Sequence, residues 1–364
     1  MPVFGCCKNL NRAGSFYKLE FRDMSVVTES IDTIESAISD YDWQPARIAI
    51  AIPVYNDWHA VRQLLGLLDT AFGYAQRFAD VFLIDDGSTL VPATATKDDE
   101  FDHLGRVQLV RLHRNLGHQR AIAIGLAYID DHYAYDQVVL MDADGEDDPN
   151  DVPRLLDACV AEGNGKIIFA QRCKRSESWL FRVGYLFFRV LHWMLTGRDW
   201  CVGNFSVIPR QRLKSLTVTS ELWNHYAAAV FASRQPYALV PTRRNRRLDG
   251  RSQMSYPGLI THGLRAIAVF AEIIGVRVML AATAVMLLLS GGVTALVLLP
   301  EAPLLSPAVQ MLLWISLIAA WQTLISATLF TFFVMQARQQ ATFVPLRDYG
   351  QFARFAETAT ATAR

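Results

Sequence analysis

The chain has 364 residues, which is enough for one large domain or for one domain with an appendage. Its 35 Lys and Arg residues equal its 35 Asp and Glu residues, so the formal net charge of zero argues against a nucleic-acid-binding protein. Five scattered cysteines without a metal-like CxxC spacing favour free thiols in a reducing compartment.

Residues 1–45 form an N-terminal extension in which the apolar residues show little periodicity. Beyond it, buried strands alternate with helical segments. Apolar runs predict strands at 47–53, 81–86, 107–112, 137–141 and 166–171, and periodic runs predict helices from near Trp58, at 118–129 and at 151–160. This alternation predicts an α/β fold with a parallel sheet that helices cover on both faces.

Polar residues follow four of the predicted strands. These groups are Tyr55–Asp57, Asp85–Ser88, Asn115–Gly117 and Asp142–Glu146. The carboxyl ends of parallel strands meet at one edge of a sheet, which is where open α/β sheets bind their ligands. We therefore expect these groups to converge on one site.

The most acidic of these groups lies in the stretch VVLMDADGEDDP, at 138–149, which has five carboxylates within seven positions. Charges packed so closely repel one another unless a positive charge lies among them, and a divalent cation with oxygen ligands meets that need. The alternative is a solvated acidic turn in which Asp147 caps the next helix. The stretch alone supports both equally, and its convergence with the other strand ends favours the cation site.

Two uncharged segments, Val278–Pro300 and Ala302–Ala337, each exceed the roughly 20 residues that cross a bilayer. Arginines flank both segments, which places the large domain and the C-terminus in the cytoplasm and the hairpin tip outside. These arginines are Arg265, Arg277, Arg338, Arg347 and Arg354. The alternative, a buried helical hairpin in a soluble core, is disfavoured by the length of the uncharged stretches.

Basic and aromatic residues fill the region between the predicted sheet and the predicted spans. Arg172, Lys174 and Arg175 follow the fifth strand, where they can attract an anionic group. The aromatic segment 179–195 predicts a helix in the membrane interface, with an ordinary core helix as the alternative. Residues 257–277 predict a second interfacial helix. The basic cluster at 243–251 suits either a phosphate or anionic lipid.

Several ordered blocks of the sequence resemble a known family. AIPVYND, LIDDGST, HRNLGHQRAIAIG and MDADGEDDP resemble the successive blocks of the inverting family 2 glycosyltransferases. AQRCKR, GNFSVIPR, RRLDGRSQMSYP and the two spans resemble its polyprenyl-phosphate (dolichyl- or undecaprenyl-phosphate) branch. The resemblance runs from about Arg47 to the end of the second span, and it implies a nucleotide-diphospho-sugar transferase (GT-A type) domain.

The resemblance implies a donor site and a metal site at the sheet edge. The implied donor-binding residues for a UDP- or GDP-sugar are Pro53, Tyr55, Asn56, Asp85, Asp86, Asn115, Gly117 and Asp142. The central acids fill the family's motif for Mg²⁺ or Mn²⁺, with Asp142, Asp144 and Glu146 as the ligands. Glu146 stands where close relatives often have Gln. His118 is interpreted as structural.

The resemblance also implies an acceptor side. Asp144, Arg172 and Arg175 are assigned to catalysis, and Arg172, Arg175, Arg247 and Ser252 to the acceptor phosphate. Asn204 stands in a block where the family often has Asp, and an amide cannot act as a general base. Asp199 is the fallback candidate. A phosphate monoester, already largely dianionic at neutral pH, attacks without a strong base.

The sequence thus predicts a membrane-anchored inverting glycosyltransferase, of the bacterial inner membrane, that moves one sugar to a polyprenyl phosphate. The predicted organisation is a glycosyltransferase domain at 46–256, a juxtamembrane helix at 257–277, a transmembrane hairpin at 278–337 and a cytoplasmic tail at 338–364. A homo-oligomer through the transmembrane helices is a further prediction. The alternatives are a family 2 enzyme with a polysaccharide or another lipid acceptor, and a non-catalytic membrane scaffold or sugar-nucleotide sensor.

Overall fold

A computed structural model describes residues 47–90, 101–172, 190, 193–197, 202–249, 256–298, 306–339, 343–354 and 357–361. The N-terminal extension, most of the predicted interfacial helix at 179–195, and Arg175, Asp199 and Ser252 lie outside these residues.

One eight-stranded sheet organises the domain. Its strands are β1 (Ile48–Val54), β2 (Ala79–Asp85), β3 (Leu104–Arg111), β4 (Gln137–Leu140), β5 (Ile167–Arg172), β6 (Ser206–Pro209), β7 (Tyr237–Thr242) and β8 (Glu357–Ala361). The spatial order is β7-β5-β6-β4-β1-β2-β3-β8. The central pairs β4–β1, β1–β2 and β2–β3 are parallel, whereas β6 and β8 run antiparallel to their neighbours.

Helices cover both faces of the sheet. They are α1 (Trp58–Tyr74), α2 (His118–His132), α3 (Asp151–Ala161), α4 (Arg210–Thr217), α5 (Tyr226–Ala232), α6 (Tyr256–Ala268), α7 (Ala271–Leu298), α8 (Pro307–Gln339) and α9 (Pro345–Asp348). Successive residues of β1 face opposite sides, so Ala49 and Ala51 pack with α2 and α5 while Ile50 and Ile52 pack with α1 and α3. The small alanines let α2 lie close to the strand.

Three strands of the sheet, β6, β7 and β8, were not predicted from the sequence. β6 is a four-residue run, SVIP, in the segment where the sequence showed only a family block. β8 is ETATA, which has no apolar run, and it pairs with β3. The C-terminal segment predicted as a tail therefore returns to the edge of the sheet. The predicted strands and helices within 47–172 agree with the structure to within a few residues.

Helices α7 and α8 contain the two apolar segments. The stretches Ala271–Ala295 and Pro307–Gln336 are long and apolar enough to cross a membrane, and only 17% of the most apolar part of each is buried. Gly275 of α7 lies against Thr331 of α8, where a Cβ would meet the threonine hydroxyl. A small residue at this position lets the two helices approach closely. α7 begins seven residues before the uncharged stretch that starts at Val278.

Candidate active site

The loops after β1 and β2 are tied together at the carboxyl edge of the sheet. Asn56 has a φ of +59°, a conformation that asparagine tolerates better than most residues. Its Oδ1 accepts hydrogen bonds from the amides of Thr89 (2.9 Å) and Leu90 (3.0 Å), and its own amide donates to Ser88 Oγ (2.9 Å). Asn56, which the sequence predicts to approach the donor, thus joins the loops after β1 and β2 at the carboxyl edge of the sheet.

Asp86 fixes the next loop. Its two carboxylate oxygens accept hydrogen bonds from the amides of Leu116 (2.7 Å) and Gly117 (2.9 Å). Burial raises the pKa of this carboxyl, and the two amides act in the opposite direction. Gly87 has a φ of +67° and lies against the backbone of Asn115, so no side chain fits there. Asp86 therefore positions the loop, and its contact with a donor stays a prediction.

The other predicted donor residues lie around the same edge. Pro53 is buried in β1, and Tyr55 beyond it is 39% exposed. Asp85 is buried at the end of β2, where its Oδ1 accepts a hydrogen bond from the Ser88 amide (2.8 Å). Asn115 is exposed, and Gly117 caps the start of α2 with a φ of +95°. The structure therefore brings these residues to one edge, as the sequence predicted.

The acids after β4 form a turn rather than an extended strand end. Asp144 Oδ1 accepts a hydrogen bond from the Glu146 amide (3.0 Å), and Gly145 between them has a φ of +73°. The segment after β7 runs beside this turn. Its Leu248 amide donates to the Asp144 carbonyl (2.9 Å), and its Asn245 amide donates to the Glu146 carbonyl (2.9 Å). A Cβ on Gly145 would overlap Leu248, so the glycine permits this close packing.

Two arginines of that segment pair with the acids. Arg247 Nη2 lies 2.7 Å from Asp57 Oδ2, and its Nη1 lies 3.3 Å from Asp144 Oδ2. Arg244 pairs with Glu146 Oε2 and donates to it through Nε at 2.8 Å. Burial raises the pKa of Asp144, and the charges of Asp142 and Glu146 raise it further, whereas Arg247 acts against them. The turn is therefore a place where added positive charge is favourable.

The donor chemistry of the turn fits a divalent cation. Asp144 and Glu146 supply carboxylate oxygens, which Mg²⁺ and Mn²⁺ prefer. Within the described ranges, no three His, Cys, Asp or Glu side chains form a ready-made metal site. Each of the two acids instead faces a guanidinium group, so the positive charge at the turn is supplied by Arg244 and Arg247.

Asp142, the third predicted ligand, faces α2. His118 Nε2 lies 3.1 Å from Asp142 Oδ1, and the Asn204 Nδ2 lies 3.4 Å from the same oxygen. Burial opposes protonation of His118, but the nearby carboxylates, Asp142 first, raise its pKa overall. His118, which sequence reasoning set aside as structural, thus contacts a predicted site residue.

A backbone amide fixes the orientation of Asn204. The amide of Tyr226 donates to Gln119 Oε1 (2.7 Å), so the Gln119 Nε2 is left to donate to Asn204 Oδ1 (3.1 Å). The Nδ2 group of Asn204 must then point toward His118, 3.0 Å away, and Asp142. Asn204 therefore presents a hydrogen-bond donor to the site and offers no base.

The site includes residues that the sequence analysis did not assign to it, and some of the assigned residues lie outside the described part of the chain. Asp57, His118, Gln119 and Arg244 all contact predicted site residues. The cluster at 243–251 was visible in the sequence, but its pairing with the acidic turn was not. Arg172 ends β5, and nothing is described of its side chain.

Comparison with known proteins identifies the domain. Residues 49–218 match the model of glycosyl transferase family 2. The chain is 31% identical over 136 residues to the undecaprenyl-phosphate 4-deoxy-4-formamido-L-arabinose transferase of Klebsiella pneumoniae (strain 342), a match that covers 37% of this chain and 39% of that protein. The corresponding protein of Edwardsiella ictaluri (strain 93-146) is 30% identical over 135 residues, 37% and 40% of the two chains. The chain thus matches about two fifths of the length of these relatives.

Solved structures with a similar fold include glucosyl-3-phosphoglycerate synthase from Mycobacterium tuberculosis, in complex with Mn²⁺ and UDP-glucose. It has a TM-score of 0.46 and 15% identity, over 72% of this chain and 86% of that one. Mannosyl-3-phosphoglycerate synthase from Rubrobacter xylanophilus has a TM-score of 0.43 and 13% identity, over 62% and 73%.

The family match and the observed mixed, mostly parallel sheet confirm the predicted fold class, a GT-A type α/β domain followed by two apolar helices. The domain at residues 49–218 therefore matches glycosyl transferase family 2.

Proposed function

We propose that this protein transfers one sugar from a UDP- or GDP-sugar to a polyprenyl phosphate at the membrane surface, with inversion at the anomeric carbon. The observation that carries the proposal is the pairing of Arg247 with both Asp57 and Asp144 at the carboxyl edge of a family 2 domain. The names of the relatives, which are undecaprenyl-phosphate sugar transferases, support the choice of acceptor.

The acid–arginine pairs suit the charge of a nucleotide diphosphate. Asp144 and Glu146 are proposed to hold Mg²⁺ or Mn²⁺, which supplies Lewis-acid neutralisation of the donor's diphosphate. In the structure, Arg244 and Arg247 form ion pairs with those carboxylates. On donor binding, the guanidinium groups are released from the acids and turn to the phosphate oxygens, for which their fork geometry is suited. Asp57 keeps Arg247 close to the edge during this exchange.

The nucleophile is a phosphate oxygen of the acceptor. A phosphate monoester, with a second pKa of about 6, is largely dianionic at neutral pH and needs no strong base. Its oxygen forms a bond to the anomeric carbon while the bond from that carbon to the diphosphate breaks, and the electron pair leaves with the nucleoside diphosphate. Asn204 has no proton-accepting role in this scheme and donates a hydrogen bond through Nδ2.

Basic residues near the end of β5 are proposed to attract the acceptor. Arg172 ends that strand at the same sheet edge as the acidic turn, and Arg175 follows it in the sequence. Arg247 and Ser252 are proposed to hold the acceptor phosphate from the other side. Asp199 remains the proposed alternative base.

The two apolar helices are proposed to anchor the domain beside its lipid substrate. α7 and α8 have the length and composition to span a bilayer. The flanking arginines support a position of the domain and the C-terminus on the cytoplasmic face. A long isoprenoid chain stays in the bilayer, so an enzyme that uses its phosphate benefits from being held at the headgroup layer.

A transfer assay tests the proposal. The full-length protein is reconstituted in liposomes and incubated with a panel of labelled UDP- and GDP-sugars and undecaprenyl phosphate, with Mg²⁺, Mn²⁺ or EDTA. The expected result is one donor that gives a labelled, chloroform-soluble lipid only when divalent metal is present. If no donor labels the lipid, the proposed function is wrong. Label in polymer without lipid phosphate would instead support the polysaccharide alternative.

A further inference from the structure

Three arginines meet where α6 passes the start of α2. Arg265 Nη1 of α6 lies 3.5 Å from the position that a Cβ would take on Gly117. The guanidinium carbon of Arg120 lies 4.9 Å from the centre of the Trp223 ring. Burial lowers the pKa of Arg120, and so do the charges of Arg265 and Arg114, whereas the charge of Asp86 acts in the opposite direction.

The cluster lacks the carboxylate partners that other arginines of the edge have. Arg244 and Arg247 each pair with an acid of the turn. Across the described part of the chain, by contrast, no Asp or Glu oxygen lies within 4.0 Å of the guanidinium nitrogens of Arg114, Arg120 or Arg265. Like charges held close together raise the free energy of the site, and a bound anion would lower it.

His262 adds a hydrogen-bond donor beside Arg265. It lies three residues earlier on α6, so both side chains lie on the same helix face. His225 Nδ1 accepts a hydrogen bond from the Ala228 amide, so its Nε2 carries the proton and donates to His262 Nε2, 3.2 Å away. His262 is then protonated on Nδ1, which can donate to an anion.

The position of the cluster fits a lipid phosphate. Arg265 lies on α6, which ends at Ala268, and α7, the first of the two apolar helices, begins at Ala271. The cluster is therefore carried by the helix that directly precedes the first apolar helix. It is also adjacent to the catalytic edge, because Gly117 precedes His118, which contacts Asp142.

We propose that Arg120, Arg265 and His262 bind the phosphate monoester of the polyprenyl acceptor as it enters from the membrane. This inference rests on the proposed function and extends it to residues of the juxtamembrane helix. A bulk phospholipid headgroup has related chemistry. The acceptor is the better occupant because Arg265 is half-buried against the loop that leads to the catalytic edge, where a diester headgroup would block the site.

The test is binding of farnesyl phosphate to the full-length protein in neutral maltoside micelles, with farnesol as the uncharged probe. Arg265→Gln should weaken farnesyl phosphate binding by about tenfold to a hundredfold, the loss expected for one charge-assisted hydrogen bond. Its farnesol binding should stay the same, and Arg265→Lys should keep most of the affinity. Arg210→Gln, an exposed arginine at the start of α4, is the matched control and should change neither.

Three outcomes overturn the inference: unchanged farnesyl phosphate affinity in Arg265→Gln, an equal loss for farnesol, or a loss confined to binding of phosphatidylglycerol vesicles. The last would assign the cluster to bulk headgroups. Binding does not depend on turnover, so the two proposals are separable. If the wild-type protein binds farnesyl phosphate through Arg265 but transfers no sugar, the proposed function fails and this inference stands.

Discussion

Arg247 Nη2 lies 2.7 Å from Asp57 Oδ2, although the two residues are 190 positions apart in the sequence. The same guanidinium also reaches Asp144, so one side chain joins the loop after β1 to the acidic turn after β4. With Arg244 on Glu146, the segment after β7 supplies the positive charge that the turn requires. Under the proposed function, a divalent cation replaces these arginines at the carboxylates when the donor binds.

The first prediction concerns this exchange. Arg244→Ala removes the cation that faces Glu146, so the protein should bind Mn²⁺ more tightly in the absence of nucleotide, by about fivefold to tenfold. Its turnover should fall because the donor's diphosphate loses a partner. Mn²⁺ affinity is measured by electron paramagnetic resonance. Arg246→Ala is the control, since Arg246 is exposed on the same segment. Equal or weaker Mn²⁺ binding by Arg244→Ala would contradict the exchange.

The second prediction concerns Asp144. Asp144→Asn keeps the shape of the side chain but removes the charge that pairs with Arg247. We expect sugar transfer to fall by about a hundredfold or more, since charge stabilisation at such sites is worth several kcal/mol. Asp148→Asn is the matched control. Its Oδ1 only accepts local hydrogen bonds from Asn150, so its rate should change by less than about threefold. The initial rate of sugar transfer is measured with labelled donor. A similar loss of rate in both variants would count against a special role for Asp144.

The third prediction concerns the shape of the turn. Gly145 has a φ of +73°, and a Cβ there would overlap Leu248. Gly145→Ala should therefore lower both turnover and thermal stability. Gly163→Ala separates the two causes, because Gly163 has a similar φ of +62° with nothing within 4 Å of its Cβ position. Each variant carries a backbone penalty of about 1–2 kcal/mol. Only Gly145→Ala should lose more than that in denaturant unfolding, and equal losses would show that the Leu248 contact is unimportant.

The fourth prediction concerns Asn204. Asn204→Asp restores the residue that the family often has, but it places a carboxylate about 3.4 Å from Asp142 Oδ1. If the acceptor phosphate needs no base, this variant should not be faster than the wild type. The wild-type rate should fall as the pH drops below about 6, because the acceptor then gains a proton and loses nucleophilicity. A rate increase in Asn204→Asp, with a shifted pH profile, would show that a base is limiting.

The sequence predicted the sheet edge well because its signals are local. Apolar runs that end in polar residues are visible without tertiary contacts, and parallel strands gather their carboxyl ends by topology alone. β6, which lies inside the sheet, and β8, at one edge, escaped prediction because their local signals are weak. β6 has only four residues, and β8 has no apolar alternation, so their pairing with β4 and β3 is set by tertiary structure.

The partners of the site residues could not be predicted from the sequence. Arg247 pairs with Asp57 across 190 positions, and Gln119 orients Asn204 across 85. Asp86 resembled a donor ligand in the motif, yet both of its oxygens hold backbone amides. A motif gives the identity of a residue, whereas the direction of its oxygens depends on which amides lie nearby in the folded chain.

The configuration of the product's anomeric carbon tests the central claim most directly. The lipid-linked sugar formed from an α-linked nucleotide sugar is analysed by proton and phosphorus NMR, together with the released nucleotide. A single displacement predicts a β-linked sugar phosphate and one nucleoside diphosphate for each sugar transferred. A retained α configuration would contradict it. Release of a nucleoside monophosphate would do the same, because it would mean that a phosphorus–oxygen bond had been broken instead.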